Sequence, residues 1–356
     1  MFAKFYGKPD GTKTRQQLFV FAAKAISLDY QKNFCKTGEF TLTMPFDSDS
    51  LHKMCLNMII EFNSFYFFVE SISYDYKQIV ISGHDLKQVL YLRISTYGAT
   101  TVAGTEGYDV VSGTTAQCIE HYLNNNIISS ADINRRMPMI FNANSVTGLS
   151  DDSYMARLEN VGGIVEKLCN NAGIGYDAAL VDNGGTAKIQ IKLLAVRDNT
   201  SVIFSPEWGT VSSVSFEHEE ENLYTTIYAT GANVTQTVNR INNVSGLSRR
   251  ECAVDVSVDS VDEIEKYALY ATEENVETNT AKIGALYSDF GTRFDVGDLV
   301  TVREPVLNNT YQKIITGAHI SLSAGSQTAE ITLGKQKPKL LNKIVSNMLN
   351  GTIRRG

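Results

Sequence analysis

Apolar and polar positions alternate along the first hundred residues with the two-residue period of a strand that buries one face. In Glu39-Phe40-Thr41-Leu42-Thr43-Met44-Pro45, the side chains of Phe40, Leu42 and Met44 share a face, and Pro45 ends the run because it has no N–H for a ladder. Asn57 to Phe62 and Phe65 to Ser73 flank Asn63-Ser64 and read as a hairpin; Gln78 to Ser82 is a further strand closed by Gly83. After it the period changes. Asp85 to Leu92 has apolar residues at helical spacing, with Asp85 placed as an N-cap.

The middle of the chain has a different pattern. Thr100 to Thr114 is rich in Gly and Thr and reads as a loop or linker. Thr115 to Asn124 is a helix with Ile119, Tyr122 and Leu123 on one face, and Leu158 to Asn171 is a second. Gly162-Gly163 weakens the second helix by about 1 kcal/mol per Gly against Ala, a cost that close packing against a neighbour would explain. A turn at Asn183-Gly184-Gly185 leads into the strand Ala187 to Leu193.

Alternation then returns, at Ser201 to Phe204, Val211 to Phe216, Leu223 to Thr230 and Cys252 to Val258. Val261 to Tyr270 interrupts it with helical spacing and an acidic first turn. Asp298 to Val302, Lys313 to Thr316, His319 to Leu322 and Ala329 to Leu333 suggest a meander or small barrel. From Lys335 the chain is basic, and Leu340, Leu341, Ile344, Val345 and Met348 make a short amphipathic helix, more suited to docking on a partner subunit than to a membrane surface. The expected fold class is mainly β with an α+β insertion. Its blocks are 1–105 (β), 106–197 (a small α/β domain), 198–335 (β, with a helical insertion near 259–275) and a basic tail, 336–356.

Composition narrows the function. With Lys+Arg 32 against Asp+Glu 39 the net charge is −7, so no large basic field exists to hold phosphates. DNA could pass such a surface without sticking. The N-terminus lacks the apolar core of a signal peptide, and no stretch approaches the ~20 apolar residues of a membrane helix, so folding in a cytoplasm without membrane insertion is expected. The five cysteines are scattered without a CxxC pair and are expected to be buried, reduced thiols.

Candidate chemistry is sparse. No HExxH, GxSxG, P-loop or GxGxxG pattern occurs. The histidines are not at metal-ligand spacing, and His218-Glu219-Glu220-Glu221, which could bind a divalent ion, reads better as a solvated loop. Glycosidase chemistry would need two carboxylates across a cleft; Asp151-Asp152 and Asp295 with Asp298 are the candidate pairs. Both lie beside Gly or Ser, where acids make turns and caps. The aromatic run Phe65-Tyr66-Phe67-Phe68 fits a strand buried on both faces better than a ligand platform. No catalytic, cofactor-binding or metal residue is assigned, and no cofactor is expected.

Three segments, in this order, resemble the siphophage tail-hub family found between the tape-measure and receptor-binding proteins. The first is Gly38 to Pro45 followed by Ile81-Ser82-Gly83-His84-Asp85-Leu86 and Arg93-Ile94, the second Arg197 to Ser205, and the third Phe294 to Val302 with its Gly297-Asp298 turn. The residues carrying the resemblance are Gly38, Phe40, Pro45, Gly83, Asp85, Leu86, Asp198, Thr200, Phe204, Gly297 and Asp298. It implies a fold like the baseplate hub proteins of contractile phages: two β-barrel-like hub domains per chain, built into a homotrimeric, pseudo-sixfold ring. It also implies a virion structural protein of the tail tip, assembled in the host cytoplasm and without enzymatic activity. Its partners would be the distal tail protein, the tape-measure protein and tail fibre, spike or receptor-binding proteins, with transient passage of DNA at genome ejection. The hub of a contractile tailocin or injection system, and a wall-degrading or glycan-binding tail protein, are the alternatives.

Overall fold

The computed structural model describes residues 2–96, 108–143, 146, 151–208, 213–219, 224–231, 235–239, 244–255, 264–265, 268, 278–304 and 309–334. The chain is mainly β and forms two units, residues 1–214 with 282–332, and residues 215–281 with 333–356.

The larger unit opens with β1 (Phe2–Tyr6), β2 (Phe19–Lys24), β3 (Ser27–Asn33), β4 (Glu39–Pro45), β5 (Ile59–Phe62), β6 (Phe65–Tyr74) and β7 (Gln78–Asp85). Short helices α1 (Arg15–Leu18) and α2 (Ser48–Lys53) lie between strands. The alternation is realised directly: Phe40, Leu42 and Met44 are buried while Glu39, Thr41 and Pro45 are exposed. The β5–β6 hairpin turns at Asn63 and Ser64, both with positive φ (48° and 68°), the conformation of the two-residue turns whose twist matches that of paired strands. The strands neighbour one another in the order β3-β4-β7-β6-β5-β1-β2. Past the end of β2, the Ile26 N–H donates to Thr43 O at 2.7 Å, so the chain returns to β4. Among the described residues none of the sheets closes on itself.

The middle block comprises β8 (Asp109–Thr114), α3 (Thr115–Leu123), β9 (Met139–Asn142), β10 (Asp151–Ala156), α4 (Val161–Ala172), β11 (Gly175–Asn183) and β12 (Thr186–Leu194). Thr114 caps α3 through a full capping box with Gln117, and Asn160 caps α4 through the N–H groups of Gly162 and Gly163. The inward faces of both helices join Leu86, Val89 and Leu90 in one apolar core with Tyr176, Leu180, Ile189 and Ile191. Two expectations are corrected here. The Gly- and Thr-rich stretch is not loop to its end, since Asp109–Thr114 pairs with β10. Asp151 and Asp152 stand in that same ladder, opposite Thr114 and Gly113, rather than in a turn.

The closing strands are β13 (Arg197–Phe204), β14 (Ser213–Glu219), β15 (Thr226–Thr230), β16 (Thr235–Asn239), β17 (Glu251–Asp255), β18 (Thr278–Leu286), β19 (Asp298–Glu304), β20 (Asn309–Ser323) and β21 (Gln327–Leu333). Where two strands were expected between Lys313 and Leu322 there is one of 15 residues, β20. Its first part pairs with β19 and its last part, Gly317 to Ser323, pairs with β3. Strands from the two ends of the sequence therefore share one sheet. The chain leaves the larger unit along β14 and returns along β18. In the smaller unit β15 pairs with β16 antiparallel and with β17 parallel, over a core of Ile227, Val238, Cys252, Val254, Ile264 and Ala268. The rest of the expected 261–270 helix, the 336–356 tail and Glu220-Glu221 lie outside the described residues.

Candidate functional site

All but one of the residues that carry the sequence resemblance gather around two polar nodes inside the larger unit; the exception, Pro45, is exposed at the far end of β4 opposite Gln78. The first forms where β7 ends. Asp85 holds the N-cap position of the following turns, but its side chain makes no capping bond. It points instead to the β3–β4 connection: Asp85 Oδ2 accepts from Gly38 N–H at 3.0 Å and from the Tyr30 hydroxyl at 3.2 Å, while the Asp85 N–H donates to Gly38 O at 2.7 Å. Gly38 cannot carry a side chain there, since a Cβ would lie 1.5 Å from Gln31 O; at Gly83 a Cβ would lie 2.2 Å from Phe68 O. Phe40 stacks on Phe67 with centroids 4.4 Å apart, and Leu86 is fully buried beneath.

Lys87 completes the node. Its ammonium lies 3.3 Å from Asp85 Oδ2, donates to Asn33 O at 2.8 Å and to Lys36 O, and sits 5.3 Å from the centre of the Tyr176 ring. Both side chains of the ion pair are almost wholly removed from solvent, at 1% and 5% exposure. Burial pushes the Asp85 carboxyl up to about 6, against the downward pull of Lys87 and of the Gly38 N–H. Asp85 Oδ1 is buried without a partner among the described residues. An acid so enclosed, with its lysine spent on backbone carbonyls, fixes a loop and has no face left for a substrate.

The second node holds the Asp295 and Asp298 pair. Arg197 grips Asp298 with two bonds, Nε to Oδ1 at 2.7 Å and a terminal nitrogen to Oδ2 at 2.5 Å. Asn199 donates to Asp298 Oδ2 at 2.9 Å and to Arg293 O at 2.8 Å, and the Asp295 N–H donates to the same Oδ2 at 3.0 Å. Asp295 in turn accepts from Lys32 at 2.8 and 2.9 Å, with the Lys32 ammonium 5.5 Å and 5.4 Å from the centres of the Phe65 and Phe290 rings. Asp198 accepts from the Thr200 N–H and hydroxyl, a turn that starts β13, and Phe204 is buried edge-on against Phe294 at 5.1 Å. The two carboxylates thus share a tie rather than face each other across a cleft.

Phe34 links the nodes. A Cβ on Gly175 would lie 2.3 Å from its ring and one on Gly297 2.4 Å, so both glycines are pressed against it. Gly297 also has φ +91°, which favours glycine independently. The Phe34 N–H donates to Thr316 O at 3.0 Å and its carbonyl accepts from Tyr176 N–H at 3.1 Å. One residue of the opening block thereby touches both later blocks.

The remaining sequence candidates fall elsewhere. His84 pairs with Glu70, His121 with Asp109 and His319 with Asp29, each apart from the others. Among the described residues no three His, Cys, Asp or Glu side chains are grouped to hold a metal, and no helix is long and apolar enough to cross a membrane. The cysteines are free; Cys118, Cys169 and Cys252 are buried, but Cys55 is exposed and Cys35 only half-buried, so the expectation of five buried thiols holds for three. The Cys35 thiol donates to Ile174 O at 2.9 Å, and burial pushes it up to about 12, which removes it as a nucleophile. Lys32, Phe34, Lys87 and Gly175 were not read as important from the sequence. Lys87 alone carried a signal: it is a charge inside the apolar run Leu86-Lys87-Gln88-Val89-Leu90.

The fold is shared with solved tail proteins. The prophage MuSo2 43 kDa tail protein from Shewanella oneidensis is 11% identical, with 93% of this chain and 95% of that one covered and a TM-score of 0.57. Prophage tail protein gp18 from Listeria monocytogenes is 12% identical over 98% and 99%, with a TM-score of 0.57. The tail protein from Neisseria meningitidis is 13% identical over 94% and 97%, with a TM-score of 0.55. No curated protein sequence matches the chain. The protein-family model described as Siphovirus ReqiPepy6 Gp37-like protein matches residues 12–335, a span that contains both nodes and Phe34. The chain belongs to the Siphovirus ReqiPepy6 Gp37-like family and has the fold of prophage tail proteins.

Proposed function

We propose that this protein is a structural hub at the distal end of a siphovirus tail. Three copies form a ring that adapts the symmetry of the tail to that of the tip and leaves a passage for DNA or the tape-measure protein. The observation that carries this reading is the fate of the charges at the two nodes. Asp85, Asp295 and Asp298, with Lys32, Lys87 and Arg197, are consumed in ties that fix loops, so the groups best placed for chemistry serve the scaffold. The fold likeness over nearly the full length of three tail proteins supports the same reading.

In this reading residues 1–105 and 198–335 act as the two barrel-like hub domains, with 106–197 between them and the 336–356 tail docked on a neighbouring subunit. The return of the chain from β2 to β4 at Ile26 and Thr43 supports the first of these. The ring meets the distal tail protein and the tape-measure protein on one side and fibre, spike or receptor-binding proteins on the other. Its net charge of −7 lets DNA pass without specific binding. The subunit is made in the host cytoplasm and resides in the virion.

The test is the copy number and symmetry of this chain in intact particles, read by cryo-electron microscopy. Three copies around a threefold axis at the distal end are expected, and a different site or copy number overturns the hub. Clearing of host cell wall by the purified protein, lost in Asp295→Ala or Asp298→Ala variants that remain folded, would replace the structural reading by an enzymatic one.

A further inference from the structure

A ring built head to tail needs two different, complementary surfaces on every copy. Among the exposed apolar groups of the larger unit's described residues, two flank β7 in the chain and have charged neighbours of opposite balance. One is the β6–β7 turn. Tyr74 is 64% and Tyr76 96% exposed, with Phe46 beside both at centroid distances of 6.4 Å. Asp47, Asp49 and Asp75 lie within three residues of these aromatics in the chain, against Lys53 and Lys77, and among the described residues none of the five is in an ion pair with a further residue.

The other patch follows the far end of β7. Leu92, Ile94, Ile133 and Leu158 expose 44%, 47%, 70% and 48% of their surface. Their three segments are tied together: Ser95 N–H donates to Glu159 O at 2.6 Å, Val161 N–H to Arg93 O at 2.9 Å, and Arg93 Nε to Arg135 O at 3.0 Å. Leu158 is held at φ +53°, a conformation a leucine adopts at a cost. Arg93, Arg135 and Arg136 give their donors to backbone carbonyls and to Asn126, and among the described residues no carboxylate pairs with any of them. Of the acids in these segments, Asp132 is spent capping Asn134, and Glu159 accepts from Lys167 and the Tyr154 hydroxyl. In a chain of net charge −7 this is a local excess of cations next to apolar surface.

We infer that these two patches are the two halves of one interface. The aromatic turn of one copy, with Phe46, Tyr74 and Tyr76, docks on the basic apolar patch of the next, with Leu92, Ile94, Ile133 and Leu158. β7, on the order of 26 Å at ~3.3 Å per residue, and the turns Leu86–Leu92 separate them along the chain, and they share no residue, so one copy can engage two neighbours at once. The inference rests on the trimeric reading above and adds to it the surfaces that close the ring.

Two substitutions at exposed positions test it, Tyr76→Asp and Ile133→Asp, neither of which removes a buried group. By sedimentation, the wild-type chain is expected to be a trimer and each variant a monomer with an unchanged circular dichroism spectrum and a cooperative melt. The variants mixed in equal amounts are expected to form a 1:1 dimer and nothing larger, because only the turn of Ile133→Asp and the basic patch of Tyr76→Asp remain intact. A variant that stays trimeric, or a mixture that stays monomeric, overturns the inference while leaving the ring itself standing. A monomeric wild-type chain overturns the ring. Tyr76→Asp and Ile133→Asp chains that trimerise normally but fail to enter particles would assign the patches to a different protein and also overturn the inference.

Discussion

Asp85 and Gly38 exchange two hydrogen bonds across the start of β4, carboxylate to N–H at 3.0 Å and N–H to carbonyl at 2.7 Å. One residue thereby supplies both a backbone and a side-chain partner to a glycine that has no room for a Cβ. Lys87 stands on the other side of the same carboxylate, so the loop from Asn33 to Gly38 is held by a buried charge pair rather than by apolar contacts alone. Removing either charge strands the other. Lys87→Met, which leaves the carboxylate buried and unpaired, is expected to destabilise the fold by roughly 3–5 kcal/mol, Asp85→Asn by less, and the double variant by clearly less than their sum. A double-mutant cycle in urea measures this; additive losses would show that the pair is not coupled.

The same carboxyl gives stability an unusual pH dependence. Its folded value, about 6, lies above its ordinary 3.8. The folded state therefore binds the proton more tightly than the unfolded chain, and the Asp85 contribution falls as pH rises between about 4 and 6. Most structural carboxylates act in the opposite sense. The difference in unfolding free energy between wild type and Asp85→Asn, followed across pH 4 to 7, is expected to shift in favour of the variant as pH rises. A flat difference would contradict the burial argument.

Gly162 and Gly163 are neighbours in α4 with opposite expectations. A Cβ on Gly162 would lie 2.3 Å from the Tyr91 ring, whereas one on Gly163 meets nothing within 4 Å. Gly163→Ala is expected to stabilise by about 0.5–1 kcal/mol through helix propensity. Gly162→Ala is expected to destabilise by ~1–3 kcal/mol, because overpacking against the half-buried Tyr91 ring outweighs the propensity gain. Thermal melts of the two variants separate these outcomes.

Phe34 is buried, and Phe34→Ala would leave a void bordered by Gly175 and Gly297. The expected loss is about 3–5 kcal/mol. Gly297→Ala is expected to be comparably damaging, since it meets the ring and is strained at φ +91°. Denaturant unfolding that leaves either variant within 1 kcal/mol of wild type would show that the ring can move aside.

Local order was legible wherever a pattern repeats within a few residues. The alternation of Phe40, Leu42 and Met44 identified β4, the helical faces of 115–124 and 158–171 identified α3 and α4, and Asn63-Ser64 marked a hairpin turn. The pair Gly162-Gly163 suggested a close neighbour, which Gly162 has in Tyr91 and Gly163 lacks. What the pattern could not carry was pairing across long separations. Nothing local in His319 to Leu322 says that this strand lies on β3, almost three hundred residues earlier, because any strand with a buried face offers the same edge. Asp85 looked like a helix cap, and its position is that of one, but a partner 47 residues away claims its carboxylate. Asp295 and Asp298 read as turn acids, and the turn forms, with the Asp298 N–H donating to Asp295 O at 3.2 Å; Lys32 and Arg197, which neutralise them, are distant in sequence. Phe34 had no signal, since a lone aromatic between strands has no period.

The wedging of Phe34 against Gly175 and Gly297 bears on how such tail proteins can be recombined. A chimera that takes residues 1–105 from one relative and the remainder from another would bring together a ring and two bare backbones that were never fitted to each other. Segments can be exchanged between tails only if this aromatic and its two glycines travel as a set, so the junctions open to swapping lie outside the three positions rather than between them.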